Sequence, residues 1–418
     1  MMKVLVIGNG GREHTIVWKL KKSPLVTEIY CAPGNPGIAK LAKCVNIKVE
    51  NIGALVEFSR EMKINMTIVG PEIPLVAGIV DEYNKAGLKI IGPSGKAAEL
   101  EGSKSFSKKF MEKYNIPTAR FNQVFNYQDG IEVLKNYTFP VVIKADGLAA
   151  GKGVLICNTM QEAEEGLRNI LVDKVFGDAG NEVVIEEFLE GIETSILCFV
   201  DGKDIIPMVG SQDHKRIYDG DQGPNTGGMG TYSPNYIYTD EVAQSVKEKI
   251  LQPTLEGIQK EEMDYKGILF IGLMITRDGP KVLEYNVRFG DPETQVVLMR
   301  LETDLFEIFQ HILDQELSGI EIKWNNNAAV CVVLASEGYP EAYEKDKVIL
   351  GLEAVADDVV VFHAGTAMKE DNLVTAGGRV LGVTAQGTTI EEARSKVYNS
   401  IDKIFFEGKT YRKDIATK

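Results

Sequence analysis

The sequence predicts a multidomain protein, part α/β and part α+β, that opens on a parallel sheet. Three observations predict it. The chain has 418 residues, more than one ordinary hydrophobic core organises, so two to four domains are expected. The first hundred residues alternate short apolar runs with amphipathic stretches of helical length, the pattern of strands joined by crossover helices. After residue 117 the texture changes to strands in close succession, then to a mixed strand and helix pattern in the last ninety residues.

In the first stretch, residues 4–7, 28–32, 66–69 and 89–91 are apolar and β-branched, and they stop at Gly8, Pro33, Gly70 and Gly92. In such sheets ligands bind at the loops after the carboxyl ends of the strands. Those loops are Gly8 to His14, Pro33-Gly34-Asn35-Pro36-Gly37 and Gly70-Pro71-Glu72. A helix is expected over 103–117, from Ser103 to the turn before Pro117. Strands follow at 139–145, 153–157, 182–188, 194–200 and 205–209, with a helix at 160–172. Residues 210–236 are rich in Gly, Asp, Pro and Asn and read as one long functional loop. Strands at 268–276 and 280–287 flank the turn Arg277-Asp278-Gly279, and helices are expected at 240–262, 293–301 and 304–317. The C-terminal stretch holds strands at 328–334, 359–363 and 380–384 and a helix at 390–405.

Composition narrows the function. A net charge of -14 disfavours binding to nucleic acid or to an anionic membrane, since both repel an anion. The five cysteines (Cys31, Cys44, Cys157, Cys198, Cys331) lack CxxC spacing and read as buried thiols of a reduced protein. No signal-peptide pattern and no membrane-length apolar run occurs, so a cytoplasmic protein is expected.

Four motifs carry chemistry. Gly8-x-Gly10-Gly11 follows a strand and opens a helix, where free amides can meet an anion. A dinucleotide site would want a third glycine where Glu13 stands, and an acid at the end of the second strand; Glu28 precedes that strand. A single phosphate, as on a sugar phosphate, and a mere tight turn both stay open. Glu72 on the neighbouring loop reads as a partner for ribose hydroxyls or as a solvated acid. Second, a strand ending in Lys144 runs into the small-residue hairpin Ala145 to Gly153, which carries Lys152. Such a flap can lie on phosphate oxygens while the lysines neutralise them; a flexible surface hairpin is the alternative. It is no Walker loop, because GxxxxGK[ST] is missing. Third, residues 183–193 run from an apolar strand through Glu186, Glu187 and Leu189 to Glu193, well placed for backbone pairing with an adenine edge and an acid on ribose. Fourth, Glu284, Asn286 and Arg288 alternate and so share a strand face. Two hard oxygen donors suit Mg²⁺ held jointly with phosphates, and the guanidinium suits a carboxylate or phosphate; a polar face with an ion pair is the bland alternative. No Ser/His/Asp or Cys/His constellation is evident. His14 and His214 lie in motif loops and are candidates for proton transfer, while His311 and His363 read as structural.

These stretches, with Gly102-Ser103-Lys104, Asp213-His214-Lys215-Arg216, Asp219 to Gly230 and Glu284 to Gln295, occur in an order that resembles the ATP-grasp family of carboxylate–amine ligases. Within it they are similar to the branch that joins glycine to 5-phospho-β-D-ribosylamine; another acid–amine pair is the alternative. The resemblance implies a phosphoribosylamine-binding domain over 1–102, an ATP-grasp domain over 103–323 with a lid at about 122–190, and a C-terminal domain over 324–418. It implies that Lys104 and Lys144 touch the phosphates of ATP, that Glu187 and Leu189, beside Glu186, line the adenine, and that Glu193 holds the ribose. Mg²⁺ or Mn²⁺ is expected on Glu284 and Asn286. Arg288 is expected on the carboxylate of glycine and Asp213 on its ammonium. Gly10 and Gly11 would receive the sugar phosphate, with Asn35, Pro36, Gly37 and Glu72 around it. The partners expected are these small molecules alone, and the chain is expected to act as a monomer.

Overall fold

The computed structural model describes residues 2–148 and 153–417. Among these, the four apolar runs of the first stretch form the strands Met2–Gly8, Val26–Pro33, Met66–Val69 and Ile90–Pro93, all parallel. Met66–Val69 and Ile90–Pro93 are buried throughout, which is why they read as continuous apolar runs rather than alternating ones. Helices Gly11–Leu20, Ile52–Glu61 and Ile79–Lys85 make the crossovers.

This sheet does not stop at the end of the first stretch. Ile90–Pro93 pairs antiparallel with the start of the twelve-residue strand Tyr265–Thr276. The rest of that strand lies between Ile192–Val200 and Gly279–Asn286. The result is one nine-stranded sheet. Its apolar side chains share cores: Leu5 and Ile7 cluster with Leu269 and Ile271, all fully buried. Hydrogen bonding therefore crosses the expected edge at residue 102.

A second sheet is local to the middle of the chain. Phe121–Val124, Val183–Glu187, Val141–Ala145 and Val154–Cys157 are antiparallel neighbours in that order, and helices Tyr127–Leu134 and Met160–Leu167 pack on them. The third sheet is six-stranded and built on Ala328–Ser336, buried at every residue, with Arg379–Gly387 and Val359–His363 to one side.

The segment 210–236 departs from the expected loop. It folds into Gln212–Asp213, Arg216–Tyr218, Gln222–Asn225 and Gly230–Ser233, and the last of these joins the third sheet beside Ala328–Ser336. Strands of two to four residues leave no periodic signal, and the outer partner of Gly230–Ser233 lies a hundred residues away. Helix ends follow local chemistry. Lys104–Lys113 starts where the Ser103 hydroxyl accepts the Phe106 amide at 3.0 Å, and it stops early because Asn115 turns to φ 54°. The run Asp240–Lys260 is helical throughout but loosens into a π-turn at Lys247–Leu251, just before Pro253, which has no amide to donate. Four cysteines are buried as expected; Cys44, on the edge strand Lys43–Cys44, is exposed.

Candidate active site

The glycine loop ends the first strand, and Glu13 fills the space its glycines leave. A Cβ on Gly8 would lie 2.4 Å from Glu13 Cγ, and one on Gly70 would lie 2.0 Å from its Oε1. Glu13 Oε2 accepts the Gly10 amide at 2.6 Å, and Oε1 accepts Arg12 Nε at 2.5 Å. The Arg12 amide donates to Asp291 Oδ2 at 3.2 Å. Two amides that the sequence offered to a phosphate are thus already held by carboxylates, and their charge repels an anion at that spot. Gly10 and Gly11 form a wall of the cleft, and an anion arriving there would meet amides that Glu13 and Asp291 hold.

The second loop is equally committed. Asn35 is buried and donates to Asn9 O at 2.8 Å and His363 O at 2.9 Å, while its Oδ1 accepts the amides of Gly37 and Ile38. Pro36 and Gly37 follow, and a Cβ on Gly37 would meet His14 and His363 at 2.5 Å. His14 Nδ1 accepts the His363 amide at 2.8 Å. Burial, with His363 and Lys40 nearby, pushes His14 down to about 3, and burial with Lys40 pushes His363 down to about 4. Both rings are neutral and join the first stretch to the third sheet. His14→Asn is therefore expected to leave the pH profile of activity unmoved across the neutral range, which a rate–pH titration checks. His311, read as structural, bonds the Glu316 carbonyl at 3.1 Å and is not buried.

The lysine group lies between the second sheet and the helix Lys104–Lys113. Lys144 Nζ sits 2.9 Å from Glu186 Oε1 and donates to Leu283 O at 3.2 Å. Lys108 Nζ sits 3.0 Å from Glu186 Oε2 and donates to Thr118 Oγ1 at 2.7 Å. Glu186 is thus bracketed by two cations. Burial outweighs that carboxylate at Lys108 and brings it down to about 8. Lys104 Nζ donates to Gly147 O at 3.0 Å, at the base of the flap, and burial lowers it too. The flap is tied down where Asp146 Oδ1 accepts the Ser105 amide at 2.6 Å. Lys152 lies outside the described residues. Leu189 is buried beside the half-buried Glu187, whose carboxylate accepts the Arg120 amide at 3.0 Å.

The structure brings Glu284, Asn286 and Arg288 together at the end of Gly279–Asn286. Asn286 Oδ1 accepts Arg288 Nη2 at 2.9 Å. Arg288 grips carboxylates as expected of its fork, but they are internal: Glu101 at 2.9 Å and Glu72 at 3.3 Å. Its Nη1 also donates to Phe289 O at 3.1 Å. Burial raises the Glu101 carboxyl above the ordinary range even though Arg288 opposes this. Glu72 stays below it, because Arg288 and Arg12 outweigh its burial. Glu284 is 41 % exposed at its side chain, 3.7 Å from Lys215 Nζ. Lys215, Lys144, Lys104 and Arg288 together outweigh burial and keep its carboxyl ionised.

This donor set fits a divalent cation with hard oxygen preference. Glu284 offers an accessible, charged carboxylate, and Asn286 offers an amide oxygen held ready by Arg288. Among the described residues, no group of three or more His, Cys, Asp or Glu is placed to hold a metal. The remaining ligands would be phosphate oxygens and water, the usual arrangement for Mg²⁺ at nucleotide sites.

Behind these groups lies a cavity lined by Glu193, Asp213, Lys215, Phe270, Gly272 and Glu293. Lys215 forms an ion pair with Glu193 and so ties the expected ribose acid to the metal strand. Asp213 is pushed well up by burial and by Glu293, and its Oδ1 has no hydrogen-bond partner among the described residues. Burial likewise raises Glu293. Glu293 keeps a hydrogen bond to its own backbone amide and faces Lys215 and Arg288, so Asp213 Oδ1 is the oxygen of this pair left open toward the cavity. Sequence reasoning missed Glu101, Lys108, Lys215, Asp291 and Glu293. Lys108 had a signal, since it sits one helical turn from Lys104; Glu101 had none.

Three family models match in succession: the phosphoribosylglycinamide synthetase N domain over residues 2–101, its ATP-grasp (A) domain over 102–294 and its C domain over 329–418. A protein of Caldanaerobacter subterraneus subsp. tengcongensis named phosphoribosylamine–glycine ligase is 52% identical over 415 residues, 99% of each chain. One of the same name from Clostridium acetobutylicum is also 52% identical over 415 residues, again 99% of each chain. The crystal structure of phosphoribosylamine–glycine ligase from Thermotoga maritima matches with a TM-score of 0.86 at 37% identity, covering 99% of this chain and 100% of that one. ATP-grasp proteins bind ATP with a divalent metal, the chemistry that the lysines and the Glu284–Asn286 pair can serve. By models that together span nearly its whole length and by relatives that match it end to end, the chain belongs to the phosphoribosylglycinamide synthetase family.

Proposed function

We propose that the chain joins glycine to 5-phospho-β-D-ribosylamine at the expense of ATP, giving N1-(5-phospho-β-D-ribosyl)glycinamide, ADP and phosphate in de novo purine synthesis. It is an ATP-dependent ligase that forms a C–N bond. The observation that carries the residue-level reading is the meeting of three lysines, an ionised Glu284 and the Asn286 oxygen beside a buried acid pair.

A carboxylate does not react with an amine unaided, because oxide is no leaving group. A glycine carboxylate oxygen attacks the γ-phosphorus and ADP leaves; the ribosylamine nitrogen then attacks the glycyl carbon, phosphate leaves, and the new amide sheds a proton. Such transfer needs positioning and charge neutralisation rather than a protein nucleophile. Lys104 and Lys144 take the phosphates, joined by Lys152. Glu186, Glu187 and Leu189 line the adenine, the last two through backbone groups, and Glu193 the ribose. Glu284 and Asn286 hold the divalent ion, Mg²⁺ or Mn²⁺. Held there, such an ion would supply positive charge against the transferring phosphoryl group. Asp213 receives the ammonium of glycine. Arg288 holds Asn286 in place and turns its remaining N–H toward the glycine carboxylate. Gly10, Gly11, Asn35, Pro36, Gly37 and Glu72 wall the acceptor side.

The division of labour follows: residues 1–102 receive the acceptor, 103–323 activate glycine under a lid at about 122–190, and 324–418 back the cleft. No described helix is long and apolar enough to cross a membrane. The enzyme works as a monomer in the cytoplasm. The test is ADP release with Mg-ATP, glycine and freshly generated phosphoribosylamine, omitting each in turn. Release that needs all three is expected. Release with another acid–amine pair, and not with this one, would move the chain to a different substrate within the same chemistry.

A further inference from the structure

The segment 210–236 and the third sheet meet at a guanidinium to which the reaction above gives no role. Arg379 opens the strand Arg379–Gly387. Its Nη1 donates to Gly227 O at 2.7 Å and to Asp291 O at 2.6 Å, and lies 3.5 Å from Asp291 Oδ1. The Asp291 carboxylate also accepts the Arg12 amide at 3.2 Å and Gln295 Nε2 at 3.0 Å. Arg12 in turn donates to Phe289 O at 3.1 Å. Two side chains, Asp291 and Arg379, thus tie together four stretches remote in sequence: the glycine loop, residues 289–295, the loop at Gly227 and the third sheet.

The contact is close as well as polar. A Cβ on Gly227 would lie 3.0 Å from Arg379 Cζ, so a methyl there would crowd the guanidinium and make it give by a few tenths of an ångström. The Gly227 amide donates to the Tyr339 hydroxyl at 3.0 Å, so the N–H and the C=O of Gly227 are both held from the C-terminal region. Asp291 oxygens stand 3.6 and 3.7 Å from where a Cβ of Gly11 would be, against the wall assigned to the acceptor. Although burial works against it, Arg379 and Arg12 hold the Asp291 carboxyl below the ordinary range, so the tie is ionic at neutral pH.

We propose that Arg379, acting through Asp291, is a positioning residue for the acceptor amine: it holds the Gly227 loop and the Gly10–Gly11 wall in one frame. The acceptor site is then complete only with the third sheet docked. The identity of the acceptor rests on the functional reading above; the tether does not.

The test compares the full-length chain with Arg379→Ala and Gly227→Ala by steady-state kinetics and by hydrogen–deuterium exchange. Arg379→Ala is expected to raise KM for phosphoribosylamine about tenfold or more, the scale of a lost charged hydrogen bond, with KM for ATP unchanged. Added guanidinium ion is expected to restore part of it. Amide exchange should quicken at both 226–229 and 9–13. Equal rises in both KM values, or a fall in kcat alone, would overturn the proposal. Should Arg379→Ala fail to fold, Gly227→Ala carries the test, with the same split in KM expected and an unchanged KM for phosphoribosylamine overturning it. If the unaltered chain makes no glycinamide product, the functional reading falls by itself; unchanged exchange at 9–13 in the variant would then dispose of the tether.

Discussion

Glu284→Gln is expected to lower kcat about a thousandfold while leaving the fold intact. Glu284 is 41 % exposed at its side chain, and among the described residues its ion-pair contact is Lys215 at 3.7 Å. Glutamine keeps its size and an oxygen toward Lys215, Lys144, Lys104 and Arg288. On the proposed function, what the substitution removes is the anionic ligand of the divalent ion, whose stabilisation of the transferring phosphoryl group would contribute several kcal/mol; about 4 kcal/mol corresponds to roughly a thousandfold in rate. Mg²⁺ titrations of ADP release should show a much weaker metal requirement per unit of remaining activity, and thermal melts should superimpose. A variant that keeps its full rate at saturating Mg²⁺ would remove Glu284 from the metal site.

Arg288→Met should instead cost stability first. It strips the partner from buried Glu101 and from Glu72, and frees Asn286. Removing one member of a buried ion pair costs about 3–5 kcal/mol. The pH dependence has a definite sign. Glu101 has a raised pKa in the fold, so the folded state binds its proton more tightly than the unfolded chain does. Stability from that proton is present at acid pH and is lost as pH rises from the ordinary glutamate value through the raised one. Without the guanidinium the folded value moves higher still. The deficit of Arg288→Met should therefore shrink at mildly acid pH, read from denaturant melts at two pH values. A deficit independent of pH would mean that Glu101 is not the group left stranded. Arg288→Lys keeps the charge but not the fork, and should fall between the two proteins.

Much of the site was legible because its chemistry sits at strand ends marked by glycine. Lys144 before its small-residue hairpin, and Glu284 and Asn286 at alternate positions, announce themselves through spacing, and the structure does bring them together. What stayed hidden depends on contact between distant stretches. Nothing about Arg379 distinguishes it from a surface arginine until Gly227 and Asp291 arrive beside it. Arg288 shows the same limit from another side: the sequence indicates that it will grip a carboxylate, and cannot tell that Glu72 and Glu101 reach it first. The glycine loop holds a contact of the same kind: its Gly10 amide is taken by the chain's own Glu13, which the spacing of the glycines does not announce. In the fold, the apolar runs were visible as strands, whereas within 210–236 the strand Gly230–Ser233 exists because Ala328–Ser336 offers it an edge.

The strand Tyr265–Thr276 works as a ruler. One end is bonded to the acceptor-side sheet at Pro93 and Gly92, and the other runs beside the strand that carries Glu284. The spacing between the two halves of the reaction is thus set by a stiff backbone of fixed length rather than by a hinge. The four strands of the second sheet pair with one another. Chimeras between relatives should therefore tolerate exchange of that sheet and its helices as a cassette. A splice at residue 102 would have to bring the matching 265–276 strand with it, or the two halves of the cleft would no longer be in register.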